Sequence, residues 1–165
     1  MKIINSEENK YEFFIPKKSL IKINFDNKDT LENYFQDFFL KLKNNYKFDV
    51  CGFYEIKIYI DNYYGVVISM IKEDIDYFDY FNAKIDMKIS KPQKITFLYK
   101  IDDLFLLDKK MLKKMIIYYY QNNYYLKIKK ISDKEFTKLL EFCEIIYDET
   151  IEIINKFGIL INLEV

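Results

Sequence analysis

The sequence has no histidine, tryptophan or arginine, and only three glycines, two prolines and two cysteines among its 165 residues. General acid–base catalysis near neutral pH most often uses histidine, and a serine or cysteine nucleophile needs a neighbouring base. Three scattered glycines cannot build a phosphate-binding loop or a dinucleotide fingerprint. These absences disfavour the common catalytic classes, and we expect a protein that is not an enzyme.

The cysteines, Cys51 and Cys143, are far apart and lie in apolar surroundings, which predicts buried thiols in a reducing compartment. Zinc sites need clusters of Cys or His, which are missing. The acidic run at residues 73–76 lacks the spacing and the glycine of a calcium-binding loop. We therefore expect neither a metal ion nor a cofactor.

No stretch approaches the roughly 18 apolar residues of a membrane span, and the first residues show no signal-peptide core. We expect a cytoplasmic protein that does not contact a membrane. Acidic and basic residues balance at 26 each, which disfavours nucleic-acid binding. The tyrosines at 118–120 and 124–125 resemble base-stacking residues, but alternation along a hairpin favours core and cross-strand packing.

Half of the residues are apolar, and their spacing predicts a strand at 11–18, a helix beginning at Asp29, and a hairpin of strands 53–60 and 63–71. The helix face is apolar at Leu31, Tyr34, Phe35, Phe38, Phe39 and Leu42. The first half therefore has the order strand, helix, strand, strand.

The second half begins with the same order. We predict a strand at 95–101, a helix carrying Leu104, Leu107, Met111 and Met115, and a hairpin of strands 116–121 and 124–130 around Asn122-Asn123. A capping box at Ser132 opens a helix, a short helix from Thr150 ends at Gly158, and a strand spans 159–165.

These elements predict an α+β protein with two small domains, each a mainly antiparallel sheet with helices on one face. The boundaries are 1–74 for the N-terminal domain, 75–94 for a short acidic linker and 95–165 for the C-terminal domain. An extra strand at about 84–89 is an alternative within the linker.

Acidic residues concentrate on the last two predicted helices. An ordinary hydrated helix surface accounts for them, and an acidic patch for a basic protein partner is the functional alternative. The candidate partner-binding residues are Glu141, Glu144, Asp148, Glu149 and Glu152.

Four segments, together with the order of the elements, resemble the MecA family, whose members are adaptors of the bacterial ClpC–ClpP protease. The segments are 48–58 (FDVCGFYEIKI), 65–74 (GVVISMIKED), 118–126 (YYYQNNYYL) and 154–158 (INKFG). The resemblance implies an N-terminal domain that binds substrate proteins and a C-terminal domain that docks on the ClpC AAA+ unfoldase. Degradation is then promoted by tethering, which needs no chemistry in the adaptor.

Three alternatives stay open. The first is an interaction regulator with a different partner. The second is an enzyme that uses lysine and carboxylate groups in a deep pocket. The third is a nucleic-acid binder whose affinity falls steeply with salt.

Overall fold

The computed structural model describes residues 2–7, 9–20, 23–47, 50–73 and 85–162. The chain divides into two compact units, Met1–Lys94 and Ile95–Val165. Each unit contains helices and one mainly antiparallel sheet, so the protein is α+β as predicted. We call them unit 1 and unit 2.

Unit 1 contains a sheet with the order β1-β2-β4-β3-β5, in which the short β6 also pairs with β3. Its strands are β1 (Lys2–Glu7), β2 (Lys10–Pro16), β3 (Gly52–Asp61), β4 (Gly65–Glu73), β5 (Ile85–Ile89) and β6 (Gln93–Lys94). Strands β5 and β6 run parallel to β3, and the other pairs are antiparallel.

One face of this sheet packs against helix α1 (Lys28–Tyr46). Five of the six predicted apolar positions of the helix are buried, and Tyr34 is partly buried. The ring of Phe39 lies 4.5 Å from that of Tyr54 on β3. The 3.6-residue periodicity therefore identified the buried side of α1 correctly.

Several predictions for unit 1 need correction. Strand β1 was not predicted, so the unit begins with a hairpin. Helix α1 begins earlier than expected, because Asn27 rather than Asp29 is the N-cap and accepts a hydrogen bond from the backbone N–H of Thr30. The predicted linker at 75–94 is too long, since residues 85–89 and 93–94 are strands paired with β3. Residues 74–84 lie outside the described part of the chain.

Unit 2 contains a five-stranded antiparallel sheet with the order β10-β7-β9-β8-β11. Its strands are β7 (Leu98–Ile101), β8 (Met115–Tyr120), β9 (Asn123–Ile128), β10 (Glu144–Ile146) and β11 (Ile159–Ile161). Its helices are α2 (Lys109–Leu112), α3 (Asp133–Phe142) and α4 (Thr150–Phe157).

Helices cover both faces of this sheet. Phe136 of α3 contacts the ring of Tyr99 edge-on at 5.9 Å between centroids, whereas Ile154 of α4 packs with Leu98 and Tyr125. Leu98 and Tyr99 are consecutive in β7, so their side chains point to opposite faces. The expectation that the helices of each domain lie on one face is wrong for unit 2.

The connection between β7 and β8 also differs from the prediction. A single long helix was expected, but the chain forms a 3₁₀ turn at Leu104–Leu106 and then the one-turn helix α2. Met115 belongs to β8. The β8–β9 turn lies one residue earlier than predicted, at Gln121 and Asn122, which both have positive φ angles of 46° and 63°, as a two-residue type I′ hairpin requires.

The end of unit 2 agrees with the prediction in part. The capping box joins Ser132 and Glu135 as predicted, and Gly158 follows α4 at the C-cap, although with extended backbone. Strand β10 between α3 and α4 was not predicted. The last strand is described only for Ile159–Ile161, and residues 163–165 lie outside the described part.

Candidate protein-binding surface

The five predicted partner-binding residues lie along one continuous segment that runs from the end of α3 to the start of α4. All five are exposed to solvent. Glu141 is in α3, Glu144 is in β10, Asp148 lies in the following loop, Glu149 is the N-cap of α4, and Glu152 is in its first turn. The expectation that all of them lie on helices is therefore wrong. The segment follows the β10 edge of the sheet, between helices on opposite faces.

Two of these acids have roles in the fold. Glu144 pairs with Lys100 on the neighbouring strand β7, at 3.3 Å between Oε2 and Nζ. The Oδ1 atom of Asp148 accepts a hydrogen bond from the backbone N–H of Thr150 at 3.0 Å, which satisfies one donor at the start of α4. These two carboxylates are thus partly committed to local structure.

Glu141, Glu149 and Glu152 are available to an incoming partner. No ion pair involves them within the described part of the chain. Glu149 and Glu152 also lie at the positive end of the α4 dipole, where a carboxylate stabilises a helix. Their negative charges stabilise the start of α4 and are still exposed to a partner.

Two exposed apolar side chains, which were not among the predicted site residues, directly follow acids of this segment in the chain: Phe142 follows Glu141 and Ile153 follows Glu152. Phe142 and Ile153 are each 41% exposed and Phe157 is 58% exposed. Ile153 and Phe157 are four residues apart in α4 and share one side of it. A sequence signal for the exposed position was the pair Ile153-Ile154, because adjacent helix residues face different directions and only Ile154 is buried. Phe157 is at the other end of α4, two residues before Ile159, which pairs with Tyr119 of β8. We therefore call Phe142, Ile153 and the five acids the β10-edge surface.

A separate ion pair holds α3 in place. The Nζ atom of Lys114 lies 2.6 Å from Oε1 of Glu135, whose carboxylate also accepts hydrogen bonds from the backbone N–H and hydroxyl of Ser132. These contacts lower the pKa of Glu135 from 4.5 to about 2. The hydrogen bond from Lys114 is the largest cause, and the bonds from Ser132 add to it. This carboxylate contributes to the structure of α3.

Unit 2 has a shallow groove of about 560 Å³ between the end of α2, the start of β8 and strand β11. Its walls are mainly apolar, with Lys113 and Lys129 among the lining residues and no carboxylate side chain. The groove does not bring together the lysine and carboxylate groups that the enzyme alternative requires.

The tyrosine-rich hairpin divides its rings between the two faces of the sheet. Tyr118 and Tyr120 lie on the α4 side with Tyr125. Tyr119 packs across the strands against Tyr124, with 5.2 Å between ring centroids and an angle of 49° between the ring planes. Packing within and across the hairpin uses these rings, as the alternation predicted.

Cys143 is buried and Cys51 is partly buried, so the expectation of two buried thiols holds fully only for Cys143. Among the described residues, no group of three or more acidic or cysteine side chains is placed to hold a metal ion. None of the described helices is long and apolar enough to cross a membrane.

Comparisons with models of known protein families, with curated proteins and with solved structures found no match.

Proposed function

We propose that the protein is a non-enzymatic adaptor that binds substrate proteins and delivers them to a ClpC-type AAA+ unfoldase for degradation by ClpP. The proposal rests on the resemblance of four segments to the MecA family. Its structural support is the β10-edge surface, where three acids without ion-pair partners in the described chain share one chain segment with the exposed apolar side chains of Phe142 and Ile153.

Protein interfaces commonly combine apolar anchors with surrounding charges. At the β10-edge surface, Phe142 is an aromatic anchor of the type enriched in the cores of protein interfaces. The acids would orient a basic partner and accelerate its association. The surface suits a partner that presents lysine or arginine side chains around an apolar patch.

Division into two compact units supports the adaptor role in a second way. An adaptor needs one surface for its substrate and another for the unfoldase, carried by one chain. Joining two binding modules raises the effective concentration of substrate at the unfoldase to the millimolar range when the linker is short. Unit 1 would hold the substrate and unit 2 would dock.

The docking step is tested with the full chain and the purified N-terminal domain of ClpC from the same genome. Reversal of Glu141, Glu149 and Glu152 to lysine is expected to raise Kd by about 3- to 150-fold at low salt, since each exposed pair contributes about 0.2–1 kcal/mol. Added salt should reduce the difference. Glu144 is kept, because its reversal would also break the pair with Lys100.

The matched control reverses three exposed acids of unit 1, Asp26, Asp37 and Glu73, and so changes the net charge by the same amount. It should leave ClpC affinity within about twofold of the wild type. Because lysine at the start of α4 opposes the helix dipole, circular dichroism must show that the reversed protein is folded. Equal affinities for the wild type and the unit 2 variant would discard the β10-edge surface as the docking site.

The delivery step is tested by substrate turnover. Cross-linked peptides would first identify a protein that binds unit 1, and its degradation by purified ClpC, ClpP and ATP would then be followed by gel. We expect degradation with the wild-type chain and much slower degradation with the unit 2 reversal variant. Degradation at the same rate without the chain would reject the adaptor function.

A further inference from the structure

The 3₁₀ turn at Leu104–Leu106 exposes the most accessible large apolar side chain among those described. Phe105 is 96% exposed, and its neighbour Leu106 is 47% exposed. Isolated apolar residues on a surface need no explanation. Here two consecutive apolar residues, Phe105 and Leu106, lie in a turn whose backbone is held by hydrogen bonds and by buried residues before and after it.

Two hydrogen bonds and two buried flanking residues hold this turn. Oδ1 of Asp103 accepts a hydrogen bond from the backbone N–H of Phe105 at 2.8 Å, and the N–H of Leu107 donates to the carbonyl of Leu104 at 3.1 Å. Ile101 before the turn and Leu107 after it are both buried. The backbone therefore presents Phe105 to solvent, and little conformational freedom remains to be lost when a partner binds.

We propose that this turn is a docking plug, in which Phe105 enters an apolar pocket of a partner protein whose rim carries lysine or arginine. Charge determines the occupant. Asp102 and Asp103 are exposed and directly precede the apolar residues, whereas the exposed Lys109 and Lys110 follow only after the buried Leu107. The two acids nearest to Phe105 in the chain would meet a basic rim favourably and an anionic lipid surface unfavourably. An anchor with one large aromatic ring in a pocket is the arrangement in which a few residues supply most of the binding energy.

The plug is distinct from the β10-edge surface and does not require the unfoldase as its partner. Asp108, just after the turn, pairs with Lys138 of α3 at 2.9 Å, so the turn is braced against the same helix that carries Glu141. Asp103 acts as a positioning residue, because its carboxylate fixes the turn without needing to touch the partner.

The partner is found with a photo-crosslinking phenylalanine analogue in place of Phe105 in the full chain, in cells of the source organism. The same analogue in place of Leu40, which is 51% exposed in unit 1, is the matched control. Proteins crosslinked from position 105 and not from position 40 are identified by mass spectrometry. They are then purified, and their affinity for the wild-type chain and its variants is measured.

Phe105→Ala is expected to raise Kd at least about 30-fold, the loss typical of a hot-spot residue, without lowering the melting temperature. The crosslink should map to an apolar pocket bordered by basic side chains. Asp102→Lys should weaken binding about 3- to 10-fold, and less at high salt. Asp103→Asn, which keeps the hydrogen-bond acceptor, should bind more tightly than Asp103→Ala.

Four results would overturn the proposal. They are no specific crosslink from position 105, crosslinks to a second copy of this chain alone, an Ala variant that binds the identified protein within threefold of the wild type, and binding to phosphatidylglycerol vesicles that depends on Phe105. An unchanged affinity for Asp102→Lys would reject the basic rim.

Discussion

Packing of α4 against its own face of the unit 2 sheet can be tested at Ile154, which is fully buried against Leu98 and Tyr125. Ile154→Ala removes three carbon atoms, about 2.4 kcal/mol at about 0.8 kcal/mol each, and leaves a cavity. Alanine recovers a few tenths of a kcal/mol through its helix propensity. The expected loss in free energy of unfolding is about 2–4 kcal/mol. Ile153→Ala, at the adjacent and exposed position, should cost no more than about 0.5 kcal/mol.

Urea unfolding of the full chain, followed by far-ultraviolet circular dichroism, measures both variants; the absence of tryptophan makes this the more suitable signal. With a slope of about 2 kcal/mol per molar urea, the middle of the usual range, Ile154→Ala should lower the transition midpoint of unit 2 by about 1–2 M. The slope itself should not change. If the two alanine variants unfolded at the same urea concentration, the placement of α4 on this face would be wrong.

Three further predictions concern residues that stabilise unit 1 or unit 2. Lys114 and Ser132 keep the pKa of Glu135 near 2, below its usual 4.5, so this carboxylate stabilises the fold above about pH 4.5 and its contribution is lost as pH falls toward 2; Glu135→Gln should flatten the melting temperature between these pH values, and an unchanged acid profile would contradict the assignment. Gly65→Ala should cost about 2 kcal/mol or more, measured by urea unfolding, because φ is 152° and the added carbon would meet the carbonyl of Ile15; a neutral substitution would refute this close approach. Asn27→Ala should cost about 1 kcal/mol through loss of the α1 cap, whereas Asn27→Asp should cost little.

The elements that could be predicted from the sequence are those determined by local pattern. The apolar face of α1 follows from the spacing of its phenylalanines, and the Ser132–Glu135 capping box marks the start of α3. The β3–β4 and β8–β9 hairpins were recognised, with ends displaced by one or two residues. In each case the determining interactions join residues that are close along the chain.

Pairing between distant segments was beyond such patterns. Strand β5 pairs with β3 across 33 positions, from Glu55 to Lys88, and the acidic composition before it favoured a linker instead. Strand β10 has only three residues, too few to show alternation. The apolar run 104–107 has helical spacing, but Asp103 caps it as a single turn and leaves Phe105 in solvent.

The candidate site could be predicted only in its charge. The acids Glu141, Glu149 and Glu152 stood out by their density, whereas the roles of Glu144 and Asp148 depended on neighbours that only the fold supplies. The exposure of Phe142 could not be predicted either, because an aromatic residue within an apolar pattern normally indicates core.

The parallel attachment of β5 and β6 to β3 determines where the chain can be shortened. A fragment ending at residue 74 would lack Ile85–Ile89 and Gln93–Lys94, which pair with β3. One edge of β3, beside Tyr54 and Ile56, would then be open to pairing with another molecule. A fragment extended to Lys94 retains its own edge strands. Recombinant pieces intended to isolate unit 1 should therefore end after residue 94, or they will report on aggregation instead of binding.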